Sequence, residues 1–304
     1  MRAPKAIGLY AVAIVLLGAL LAPWLFWAIQ WIAAHVPAAK RLGEYPFRRV
    51  FGRSVMVVAL VGLWPLLRHL GIRSRDELGY VRARGWEKHV LIGFVVGLGS
   101  LVIAIAIAVA LGTRSLTLDR SAGAIAGALL RYTLVGLIVA LIEETFFRGA
   151  LQGAFQRQMS PGSAVVLASL IYSVLHFLKP TAVNIPADQV AWNSGFTCLA
   201  GIGPRSFGDP DVLASLVTLF LAGCILGLAY AKTRALYLSI GLHAGWVLAN
   251  ESARWLGAGK VVEDVIAWPV LAVLLVFVQR LCTTQLKPLR VAELSGSGSG
   301  APST

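Results

Sequence analysis

Glu143 and Glu144 combine reactive chemistry with surroundings that do not favour it. They follow an apolar run from Thr133 to Ile142 and precede Thr145, Phe146, Phe147 and Arg148. The other acidic residues, of 14 in all, lie in loops or near the ends of apolar stretches. A carboxylate at the centre of a bilayer costs roughly 2.5–3.5 kcal/mol on insertion scales, so it faces protein or water and takes a partner. At a rise of about 1.5 Å per residue, Glu143 lies about 18 Å from Arg131 and about 21 Å from Arg157, which is near mid-depth for a spanning helix.

Helical geometry gives the two glutamates different prospects. Glu144 and Arg148 stand at i and i+4 with the acid N-terminal to the base, so Glu144 is neutralised within its own helix. Glu143 points about 100° away and has Val139, Ala140, Phe146 and Phe147 as its i±3 and i±4 neighbours. Its partner must come from another helix. A carboxylate so placed is a candidate general base. The competing reading is a buried ion network of Glu143, Glu144 and Arg148 that only fixes helix packing.

The histidines favour chemistry. Of 5, His35, His69 and His89 sit at the ends of apolar stretches beside bases or loops, where an interfacial role is expected. His243 lies about 13 Å from Arg234 and about 16 Å from Arg254 along its helix, so it can share a layer with Glu143. His176 follows Tyr172 by four residues, on the same helical face, but is only three residues before Lys179. For His176 to meet the others its helix must be displaced or broken, or a water-filled cavity must reach it.

The chain has 304 residues, 58% hydrophobic and 13% charged, with a formal net charge of +13. Its mean hydropathy is +0.76. A soluble fold carries about 25% charged residues, so the composition is that of an integral membrane protein. The basic residues flank apolar runs rather than lining a polar face, which argues for membrane topology and against nucleic acid. Cys198, Cys224 and Cys282 are too scattered for a disulfide framework or a thiolate metal site. Arg2 and Lys5 precede an apolar run too long for a signal-peptide core, so the first helix is retained.

The expected fold is all-α, a polytopic bundle of about eight transmembrane helices near 6–34, 54–70, 89–112, 124–157, 162–178, 211–231, 235–253 and 263–282. Pro65 marks the second as kinked or partly interfacial. An even number of spans puts both termini on one side, and a small excess of Lys and Arg assigns that side to the cytoplasm. The expected organisation is N-terminal helices with a basic loop over 1–88, a core over 89–282 and a polar flexible tail over 283–304. Residues 179–210, rich in Pro, Asn and Asp, read as a lid, a binding segment or disorder. Gly149/Gly153, Gly223/Gly227 and Gly241/Gly245 form G-x-x-x-G pairs that permit close helix approach, in a number that a glycine-rich composition produces by chance.

Glu143-Glu144-x-x-x-Arg148, Tyr172-x-x-x-His176 and the Gly241-Leu-His243-Ala-Gly-Trp-Val247 stretch, in this order over roughly residues 90–252, resemble the CPBP family. That family comprises type II CAAX prenyl endopeptidases and the Abi-like, bacteriocin-processing relatives of bacteria. The resemblance implies a CAAX-protease-like intramembrane endopeptidase in which Glu143 activates water, His176 assists, and His243 helps bind the oxyanion or a metal. Glu144, Arg148 and Tyr172 would support them. The family often has Asn four residues after the last histidine, where this chain has Val247. Asn250, seven residues on, returns to nearly the same helical face and is the candidate substitute.

Two chemistries stay open: a glutamic mechanism that requires no cofactor, or a zinc ion held by Glu143, His176 and His243, although no H-E-x-x-H motif occurs. Two other function classes compete, a transporter or proton relay using the buried Glu and His groups, and a non-catalytic membrane scaffold or immunity protein. The implied partners are the lipid bilayer and a membrane-associated protein or peptide substrate, with no nucleic acid. The composition points to a bacterial inner membrane.

Overall fold

The computed structural model describes residues 2–81, 84–117, 119–176, 183–201, 210–259, 265–284 and Leu286. The described residues are helical with no strand, as expected. The long helices are α1 (Arg2–His35), α2 (Phe47–His69), α3 (Trp86–Ala110) and α4 (Ala122–Glu144). A π-helical segment, Thr145–Gln152, and a short α5 (Gly153–Gln156) continue α4 without a break. After these come α6 (Pro161–Leu175), α7 (Ser194–Ala200), α8 (Pro210–Thr233), α9 (Tyr237–Trp255) and α10 (Ala267–Thr284).

Six of these are long and apolar enough to cross a membrane: α1, α2, α3, α4 with its continuation, α8 and α10. The other two expected spans fall short for different reasons. α6 is apolar but has only 15 residues. α9 has 19 residues but carries His243, Asn250, Glu251 and Arg254, and most of its surface is buried against protein. A helix enclosed by other helices needs little lipid-compatible surface, so its hydropathy falls.

Local signals set the ends. Ser121 caps α4 by accepting from the Ala124 amide, and Ser160 caps α6 with Pro161 in the first turn. The α2 helix begins seven residues before the expected start. Phe47, Val50, Phe51 and Ser54, at i, i+3, i+4 and i+7, bury one face while Arg48, Arg49 and Arg53 occupy the rest. The same helix runs on through Pro65 to His69.

The chain divides into two compact units. The first takes Met1–Arg73, Ala150–Gly223 and Val262–Trp268. In it, α1, α2 and α7 share a core of Ala19, Ala22, Phe26, Phe47, Val50, Phe51, Val190 and Cys198. Helix α7 comes from the stretch expected to be a lid, a binding segment or disorder. A Cβ on its Gly195 would lie 1.8 Å from the Ala19 carbonyl oxygen, so this part of the stretch is docked on α1. Residues 177–182 and 202–209 of that region, and the tail from Ser295, lie outside the described residues.

The second unit takes Ser74–Gly149, Cys224–Val261 and Pro269–Thr304. Its centre is α9, with α3 on one side and α4 on another. The α3–α9 contact is glycine against backbone in both directions. Cβ atoms on Gly93 and Gly97 would meet the Leu238 and Leu242 carbonyl oxygens at 2.4 and 2.2 Å, and on Gly241 and Gly245 the Val90 and Phe94 oxygens at 2.2 and 2.4 Å. Gly241/Gly245 is therefore a true close-packing pair, matched by Gly93/Gly97, which the sequence reading does not single out. Between α4 and α9, a Cβ on Gly136 would lie 2.8 Å from the Ala244 carbonyl oxygen, and Ala140 packs with Ile240 and Ala244.

Candidate active site

The carboxylates of α4 and the imidazole of α9 meet because small residues let their backbones approach. Gly136 and Ala140 on α4 oppose Ala244 on α9, so Glu143 and Glu144, one turn beyond Ala140, and His243, next to Ala244, reach each other. Glu144 and Arg148 form the expected i,i+4 pair, with Nη1 donating to Oε1 at 2.9 Å. Both are fully enclosed.

Glu144 does more than pair with Arg148. Its Oε1 also accepts from His243 Nδ1 at 2.8 Å. A carboxylate that accepts at Nδ1 fixes the ring's orientation and commits its other nitrogen, Nε2, to the site. Nε2 lies 3.8 Å from Glu143 Oε2. Glu143 keeps 28% of its side-chain surface accessible, against 0% for Glu144. Of two adjacent carboxylates, then, one is enclosed and orients the imidazole, and the other keeps part of its side chain exposed while its Oε2 is turned inward toward the ring.

The Glu143–His243 separation is longer than a direct hydrogen bond, and the Glu143 Oε2 that faces the ring is buried.

The remaining predicted residues are at the end of α6 and on α9. Tyr172 and His176 belong to the first unit, at the end of α6. The His176 ring lies 4.4 Å from the Tyr172 ring, and its Nδ1 donates to the Tyr172 carbonyl oxygen at 2.8 Å. This bond again commits Nε2 to further chemistry. Asn250 lies on α9, and its Oδ1 is buried with no hydrogen-bond partner among the described residues. Helix α9 is regular from Tyr237 to Trp255, so Asn250 stands about 10 Å along the axis from His243. Val247, at the position where the resemblance leads one to look for Asn, packs against Gly136, with its Cβ 3.3 Å from where a Cβ would stand on that glycine. Among the described residues, no three His, Cys, Asp or Glu side chains come together so as to hold a metal ion.

Sequence reasoning missed the Glu144–His243 bond, which joins residues 99 positions apart. It also missed Tyr80, whose hydroxyl lies 2.5 Å from Thr145 Oγ1, next to the glutamates. No pattern in the sequence marks either contact.

Residues 125–249 match a family model described as Type II CAAX prenyl endopeptidase Rce1-like. The matched segment contains all of the predicted site residues except Asn250, and it bears out the resemblance to the CPBP family. It supports a CAAX-type intramembrane protease in general terms, in a chain whose apolar helices make it an integral membrane protein. No curated protein and no solved structure matches the chain.

Proposed function

We propose that this protein is an intramembrane endopeptidase that hydrolyses peptide bonds of membrane-associated proteins or peptides with water activated by Glu143. The observation that carries this reading is the placement of a partly exposed glutamate with its Oε2 3.8 Å from an imidazole nitrogen whose ring is held by a second, enclosed carboxylate.

The reaction follows from that arrangement. Glu143 takes a proton from water as the water oxygen attacks the peptide carbonyl carbon, and the carbonyl π electrons move to oxygen. In its doubly protonated form His243 holds Glu144 through Nδ1–H and donates from Nε2–H to the oxyanion. When the tetrahedral adduct collapses, the C–N bond breaks and Glu143 returns its proton to the leaving amine. His176 assists proton movement in this proposal, and Asn250 is the candidate second oxyanion donor for a substrate that extends along α9.

In this reading every step is assigned to side chains of the chain itself; a zinc ion held by Glu143, His176 and His243 would instead supply the Lewis acid and the activated water. The proposed setting is a bacterial inner membrane with both termini in the cytoplasm.

The test compares membrane-proteome termini in cells expressing the wild-type protein or Glu143→Gln, with purified proteins reconstituted in liposomes. Glu143→Gln inserts and folds but loses about 10²–10⁴-fold in cleavage. Wild-type cleavage by that variant refutes Glu143 as the base. Cleavage that disappears on exhaustive chelation and returns with zinc refutes the metal-free mechanism.

A further inference from the structure

We infer that Tyr80 is a positioning residue for the glutamate pair: through Thr145 it anchors the point where α4 changes from α to π geometry, directly after Glu144. The inference rests on the proposed proteolysis and adds to it a residue outside the matched family segment.

The donor assignment is forced. Thr145 Oγ1 donates to the Leu141 carbonyl oxygen at 2.5 Å. A hydroxyl has one proton, so the Tyr80–Thr145 bond must be donated by Tyr80. Burial pushes the Tyr80 phenol above its ordinary value, and it remains a donor throughout the neutral range.

Tyr80 belongs to a strap, residues 78–81, that ties the two helices of the site together. On the α9 side, Gly79 O accepts from the Leu236 amide at 3.0 Å and Val81 O from the Tyr237 hydroxyl at 3.3 Å. The Tyr80 and Tyr237 rings meet edge to face at 6.3 Å. The strap passes close only because Gly79 has a φ of +96°, and a Cβ there would lie 2.8 Å from the Tyr230 ring. On the other side, Tyr80 bonds Thr145, and a Cβ on Gly149 would lie 2.8 Å from the Leu78 carbonyl oxygen. Four consecutive residues thus touch both the start of α9 and the π segment. The strap thereby fixes the spacing of the helices that carry Glu143, Glu144, Arg148 and His243.

The experiment measures kcat, KM, melting temperature and amide exchange over residues 141–149 for Tyr80→Phe, Thr145→Val, Thr145→Ser and the Tyr80→Phe/Thr145→Val double variant. Tyr80→Phe and Thr145→Val each lower kcat about tenfold, the rate equivalent of one hydrogen bond, with KM unchanged. The double variant is no worse than Thr145→Val alone, because that substitution already removes the bond from Tyr80 together with the bond to the Leu141 carbonyl oxygen. Thr145→Ser keeps the wild-type rate, and exchange over 141–149 quickens in both Tyr80→Phe and Thr145→Val. Unchanged kcat in Tyr80→Phe, additive losses in the double variant, or no rescue by Ser overturns the inference. Exchange needs no turnover, so it separates the two readings. Faster exchange in Tyr80→Phe of a protein that cleaves nothing leaves the anchor standing and removes the protease. Glu143-dependent cleavage with exchange and kcat unaffected in Tyr80→Phe does the reverse.

Discussion

Gly97→Ala tests whether the α3–α9 contact sets the geometry of the site. The added methyl would lie 2.2 Å from the Leu242 carbonyl oxygen and 2.9 Å from the Leu242 Cα, both backbone atoms that no rotamer change can remove. Ordinary contact requires the two helices to separate locally by about 1 Å, in a region already close-packed. Overpacking of this kind costs about 1–3 kcal/mol. Leu242 immediately precedes His243, so the shift moves the imidazole by a comparable amount. The 2.8 Å bond to Glu144 then stretches beyond hydrogen-bond range. A misplacement near 1 Å costs about 10²-fold in rate.

Gly99→Ala, two residues away on the same helix, is the control. Nothing lies within 4 Å of a Cβ at that position, so stability changes by less than about 0.5 kcal/mol. The assay measures peptide cleavage in proteoliposomes alongside thermal unfolding in detergent. Equal behaviour of Gly97→Ala and Gly99→Ala would refute the reasoning, whether both are harmless or both harmful.

Two further substitutions separate charge from position. Glu144→Gln removes the carboxylate shared by Arg148 and His243 and destabilises by about 3–5 kcal/mol. Adding Arg148→Met recovers most of that stability in thermal unfolding but none of the cleavage, because Nδ1 of His243 has still lost its anionic acceptor. Recovery of cleavage in the double variant would contradict that role. At the short link between α8 and α9, Arg234 has a φ of +57°. Arg234→Gly therefore raises thermal stability by up to about 1 kcal/mol and Arg234→Val lowers it by about 1–2 kcal/mol.

What could be read in the sequence was whatever one helix determines by itself. The six long apolar helices follow from apolar run length, and the Glu144–Arg148 pair from i,i+4 spacing. The need of Glu143 for an outside partner was legible too, because its own helix offers no base. The same logic misled where two helices share a group. Glu144 looked satisfied by Arg148, yet a carboxylate oxygen accepts more than one hydrogen bond, and the second donor comes from 99 residues away. The early start of α2 was hidden by arginines that interrupt the apolar run without interrupting its inward face. Gly93/Gly97 was visible as letters but acquires meaning only opposite Gly241/Gly245. The π segment after Glu144 has no comparable signature, since Thr145-Phe-Phe-Arg148 is compatible with an ordinary α-helix.

The pairing of an enclosed with an accessible glutamate has an electrostatic rationale in a medium that penalises net charge. With His243 doubly protonated, as the proposed mechanism requires, two carboxylates, one guanidinium and the imidazolium sum to zero, so the cluster needs no further counter-ion. In that proposal, transfer of the water proton to Glu143 leaves the cluster with one positive charge, and the oxyanion that forms at the same moment carries one negative charge. Total charge in the cavity is unchanged through the difficult step, while a positive donor faces the developing negative oxygen at short range, where low dielectric strengthens the attraction. Without Glu144 the cluster would start with a net positive charge and a freely turning ring. The second glutamate therefore serves both to balance Arg148 and to aim His243, which accounts for a burial that would be costly for either purpose alone.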